Sequence, residues 1–201
     1  MMSDFLLSMK EYWYLWVIFA VLLIITIFVM RKAFAASKCH SGQVNEMLKQ
    51  AEHDKNLFER YNNAEKTVFQ NDSADDVIDG LGIVVEQKIS KEDDHLVAFN
   101  NLSDVEKQAY AIRYFFKDSK EKLSDFFRNN THPLTDNVLI VLEECSNEAF
   151  LLSKILADMT DDDNETVSFD SDIIDEKDKE YSKLDLKKIK ENVKEYLLKN
   201  L

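Results

Sequence analysis

The densest set of potential metal ligands in this 201-residue chain is Asp161-Asp-Asp-Asn-Glu165, and hard cations such as calcium take several oxygens at close spacing. The spacing fails the EF-hand pattern. Thr166 stands at the sixth position, where the turn needs glycine, and Asp172 at the twelfth, where a bidentate glutamate belongs. The run therefore reads as a solvated acidic loop. His40, His53, His95 and His132 are scattered without HExxH or similar spacing, so they offer neither a ligand set nor a general base. Asp93-Asp94 and Glu143-Glu144 are adjacent carboxylates that point to different faces of a helix, unlike the opposed pair of a glycosidase. The glycine motifs of P-loops, dinucleotide folds and nucleophile elbows are missing from the sequence. The expectation is a protein that is not an enzyme, with no catalytic residue, cofactor or metal.

One stretch governs how the rest is placed. Tyr12 to Met30 is nineteen residues without a charge, proline or glycine, long enough as a helix to cover about 28 Å at ~1.5 Å per residue. Trp13 and Trp16 lie at one end, where amphipathic rings favour a headgroup layer, and Arg31 and Lys32 close the other. The expectation is a transmembrane helix over 12–32, in contact with the lipid bilayer through 12–30. Arg31, Lys32 and Lys38, with no acid before Glu46, put the C-terminal side in the cytoplasm and leave residues 1–11 outside: a single-pass protein of the cell membrane. A cleaved signal peptide is the rival, because Ala33-Phe-Ala-Ala36 offers small residues. It is opposed by the uncharged n-region, the length of the apolar run and the basic pair before the site.

Residues 39–201 hold 21 of the 25 basic and 36 of the 38 acidic residues, a net charge of −15. Such a body repels nucleic acid and favours basic partners. Cys39 and Cys145 form no CxxC pair, and Cys145 reads as a small buried apolar group. Three glycines and one proline leave few turn signals for an all-β domain.

The expected fold is all-α: after the transmembrane helix, a juxtamembrane helical stalk over 33–72 with Gly42 as a break, then an acidic domain over 73–201, with about six helices in all beyond the span. Helices are read over 74–89; from Leu102, opened by the capping box Ser103-Asp-Val-Glu106; over 119–130; over 134–144; from Ser146 as a cap; and over 184–198. Residues 158–180 carry eleven acids against Lys177 and Lys179, so part of this segment reads as exposed loop. The lysines of the last helix are placed to neutralise it.

Residues 95–200 resemble the C-terminal domain of the acidic DNA-mimic protein family. Leu123-Ser-Asp-Phe-Phe-Arg-Asn129 looks like the family's F-x-Q-F-F-x-N stretch, with Asp125 in place of the glutamine and Glu121-Lys122 where a glycine pair stands. Val141-Leu-Glu-Glu-Cys-Ser-Asn147 is similar to its A-L-x-x-I-G-A helix, with Ser146 in place of the junction glycine. Ile174 to Tyr181 and Tyr196-Leu-Leu-Lys-Asn200 resemble its closing elements. The resemblance implies a non-enzymatic helical domain, often a homodimer, whose carboxylates imitate DNA phosphates toward a DNA-binding protein.

The expected function is that of a membrane-anchored protein-interaction module toward a partner with a basic surface, without direct contact to nucleic acid; the alternatives are a DNA mimic that occupies the DNA-binding surface of a nucleic-acid-binding protein and an uncharacterised enzyme. Its contact residues are expected at Asp158, Asp161, Asp162, Asp163, Glu165, Asp170, Asp172, Asp175 and Glu176.

Overall fold

The computed structural model describes the backbone of residues 13–130, 132–145, 147–159 and 171–201, with side chains for all of these but 15, 16, 33–43, 66 and 171. The chain divides into two compact units, Met1–Glu52 and His53–Leu201. Among the described residues there are ten helices and no strand: α1 (Trp13–Tyr61), α2 (Lys66–Asn71), α3 (Ala74–Ile89), α4 (His95–Asn100), α5 (Asp104–Asp118), α6 (Leu123–Asn129), α7 (Leu134–Glu144), α8 (Glu148–Ala157), α9 (Ser171–Tyr181) and α10 (Leu186–Asn200). The all-α expectation holds, with nine helices after the first where about six are expected.

The transmembrane expectation does not hold. Among the described residues no helix is long and apolar enough to cross a membrane. The exposed run of α1 from Val17 to Met30 is apolar but for Thr26. Beyond it α1 continues through exposed Arg31 and Lys32 to Tyr61. The single-pass anchor, the bilayer contact and the topology built on them are withdrawn with it. Trp13 is exposed, and the side chain of Trp16 lies outside the described residues. Gly42 does not break α1, because one helix-interior glycine costs only ~1 kcal/mol.

Local chemistry sets the ends of the other helices. At α3 the Ser73 hydroxyl accepts from the Asp76 amide at 3.2 Å, with Asp75 and Asp76 in the first turn and Lys88 in the last, which suits the helix dipole. At α5 the capping box forms in full: Glu106 N–H reaches the Ser103 hydroxyl, and the Ser103 amide donates to the Glu106 carboxylate at 2.9 Å. Asp94 and Asp185 accept from the first free amides of α4 and α10.

Helix α6 opens at Leu123, not at the expected Ser119. Ser119 caps the end of α5 and donates its hydroxyl to the Phe115 carbonyl at 2.6 Å. Ser146 lies outside the described residues, and the N-cap of α8 is Asn147, at φ 59° and without a side-chain cap.

The core of the second unit is aromatic and aliphatic. Phe115 and Phe126 are fully buried and meet edge to face with centroids 5.1 Å apart. Around them lie Ile112, Leu123, Leu142, Leu152, Leu156, Ile189 and Leu197, all fully buried, each contributing roughly 1.5–3 kcal/mol relative to exposure. Cys145 is buried as expected.

Candidate partner-binding surface

Of the expected contact residues, Asp161, Asp162, Asp163, Glu165 and Asp170 lie outside the described residues. Asp158, Asp172, Asp175 and Glu176 are described and exposed. The last three sit at i, i+3 and i+4 on α9, so they line one stripe of that helix. The opposite side of α9 packs inward through half-buried Ile174 and buried Tyr181. Tyr181 ends in a hydroxyl pair with Ser119 at 3.0 Å, and burial raises its phenol above the ordinary value.

Two charged groups of this segment do structural work. Asp178 accepts from the Ser124 amide at 2.9 Å and the Ser124 hydroxyl at 2.8 Å, which caps α6 from another helix. Lys177 joins Asp158 at 2.8 Å and Glu180 at 3.1 Å, and these two partners raise its pKa.

Three lysines of α10 bind outside the segment 158–180, of which residues 160–170 lie outside the described residues. Lys188 pairs with Glu148 at 3.0 Å, Lys190 pairs with Asp75, and Lys194 donates to the carbonyls of Asp72 at 2.7 Å and Gln70 at 3.3 Å. They tie α10 to α8, to the end of α2 and to the start of α3.

A charged cluster that sequence reasoning missed surrounds Arg113 of α5. Its side chain is only 5% exposed and meets three carboxylates: Glu86 at 2.6 Å, Asp54 at 3.5 Å and, through Nε, Asp79 at 4.0 Å. Glu86 also accepts from Tyr114 at 2.8 Å. Burial raises the Asp79 carboxyl above its ordinary value, against the pull of Arg113. A Cβ on Gly82 would stand 2.4–2.5 Å from the Arg113 stem, so this glycine makes the approach possible. Helix-interior Gly82 is the signal in the sequence that could have pointed to a bulky neighbour.

A groove of about 270 Å³ opens among the end of α1, α2, α3 and α5. Tyr61 and Phe69 stack 5.1 Å apart on one side, and Leu81, Val84, Val105 and Ala109 line the other. Gly80 allows this, because a Cβ there would lie 2.0 Å from the Tyr61 ring. Lys88 and Glu106 form an ion pair among the lining residues. Below the groove the Tyr61 hydroxyl and Arg60 both bind Asp72. The phenol hydrogen bond, then Arg60, hold the Asp72 carboxyl below its ordinary value against its own burial.

The chain matches no protein-family model, no curated protein and no solved structure.

Among the described residues no group of three or more His, Cys, Asp or Glu is placed to hold a metal ion. The carboxylates around Arg113 are instead occupied by a cation of the chain itself. What the described surface offers chemically is a negative field and an apolar recess.

Proposed function

We propose that the unit His53–Leu201 is a protein-interaction module that recognises a partner through that partner's basic surface. The observation that carries this is charge: the unit has 34 acidic and 20 basic residues, a net of −14. On α9 Asp172, Asp175 and Glu176 form an exposed stripe. A field of one sign steers oppositely charged partners and rejects anionic ones. The resemblance over residues 95–200 suggests a narrower version, in which the partner is a DNA-binding protein.

The test is retention of partners from a cell extract on the immobilised full chain, compared with the triple variant D172K/D175K/E176K. The expected result is a set of basic proteins held by the parent, released by salt and lost from the variant. Retention indifferent to both salt and the substitutions overturns the reading. Competition by duplex DNA separates a DNA-binding partner from other basic proteins.

A further inference from the structure

The groove beside Tyr61 and Phe69 opens at the rim of the core, to which Tyr61, Phe69, Leu81 and Ala109 belong, and its size and charge select an occupant. Its volume of about 270 Å³ lies just under the ~300–1,000 Å³ of sites that enclose a whole small molecule. That space suits one large apolar side chain, the kind of anchor that dominates helix-in-groove recognition.

Charge decides what carries the anchor. Lys88 is the one cation among the lining residues, and Glu106 already pairs with it. That pair leaves the lining side chains without net charge, so the field at the groove is that of the unit as a whole, at −14. A fatty acid or other anionic amphiphile would meet repulsion there, whereas a cationic segment would be drawn in. The groove is also built at a cost. Gly80 sits in a helix interior, where it loses roughly 0.5–1 kcal/mol relative to alanine, and it is what allows Tyr61 to lie against α3.

We propose that this groove receives a single aromatic or large aliphatic side chain from a basic amphipathic helix of a partner protein. The proposal rests on the acidic-module reading and supplies its anchor point.

The probe is a lysine-rich amphipathic helical peptide with one Phe on its apolar face, together with the same peptide carrying Ala in place of that Phe. Both are titrated calorimetrically into the full chain. The expected result is binding of the Phe peptide about tenfold tighter than the Ala peptide, a ratio of the size one buried side chain gives. Filling the groove by V84W or, from the α5 wall, V105W should abolish that difference and leave the Ala peptide unchanged. The peptide pair needs no substitution in the protein, so the test survives if either variant misfolds. Equal, salt-sensitive binding of both peptides overturns the groove and leaves the acidic-module reading standing. Binding of neither peptide overturns the groove, and the α9 charge reversal then judges the module independently. Decanoate binding more tightly than the Phe peptide overturns the choice of a cationic occupant.

Discussion

At the scale of single residues, the two most informative carboxylates are shifted in opposite directions. Asp72 is held below its ordinary pKa chiefly by the Tyr61 phenol and then by Arg60. Its contribution to stability is present above the unfolded-state pKa and is lost as pH falls through the folded one. Asp79 is raised by burial, so its contribution is present at low pH and is lost as pH rises through the folded value. In acid titrations followed by circular dichroism, Y61F should therefore weaken the acid dependence of stability, and D79N should raise stability at neutral pH relative to acid. A D79N protein that loses stability at neutral pH would show that the Asp79 attraction to Arg113 outweighs its desolvation. The Cys145 thiol, pushed up to about 11 first by burial and then by Glu144 and Glu195, should resist alkylation at neutral pH in the folded protein and react on denaturation. The burial of Cys145 was legible in the sequence from its place beside Val141 and Leu142. The pairing of Arg113 with Asp54, Asp79 and Glu86 was not, since the carboxylates stand 59, 34 and 27 residues away in sequence and no local pattern records such a meeting.

At the scale of elements, legibility follows how local the governing interaction is. Helix α3 matches the expected 74–89 from end to end, and the residues that set its start, Ser73 with Asp75 and Asp76, stand within four positions of one another. The capping box of α5 was readable for the same reason. Helix α6 was read too long, because its amino end is fixed by Asp178, more than fifty residues on. D178A should cost about 1–2 kcal/mol, the range for losing a cap that satisfies buried donors. Hydrogen exchange should show the loss first in α6. At the α7–α8 junction the strain is a property of the backbone: Asn147 sits at φ 59° and ψ −121°, a region that suits glycine and strains other residues. N147G should therefore stabilise by about 1 kcal/mol in chemical denaturation, more than the entropy glycine gains in the unfolded chain. At Gly80 the opposite holds. Alanine favours a helix by roughly 1 kcal/mol, yet G80A should lower stability, because its methyl would stand 2.0 Å from a Tyr61 ring that Phe69 holds from the other side. An unchanged or higher midpoint for G80A would mean that Tyr61 can swing away, and the groove with it.

At the scale of the second unit, two electrostatic effects compete, and magnitude decides between them. Ion pairs such as Lys188–Glu148, Lys190–Asp75 and Lys177–Asp158 each have an exposed partner. Exposed pairs contribute only about 0–1 kcal/mol each, and added salt weakens them. Against them stands the net charge of −14 on His53–Leu201. A chain of 149 residues has an expected radius of gyration of about 15 Å. The Debye length is ~30 Å at 0.01 M salt and ~8 Å at 0.15 M. At low salt every carboxylate therefore feels the whole excess, and at 0.15 M it feels little beyond its immediate neighbours. The repulsion that salt removes is spread over all the charges, while the attraction it removes is confined to the pairs. The thermal midpoint of the transition should accordingly rise by a few degrees between these two ionic strengths, and charge reversal on α9 should raise the midpoint at low salt more than at 0.15 M. A midpoint that falls as salt is added would place the Arg113 cluster and the α10 lysines in control of stability. The excess acid would then be too well compensated inside the fold to steer a basic partner to it.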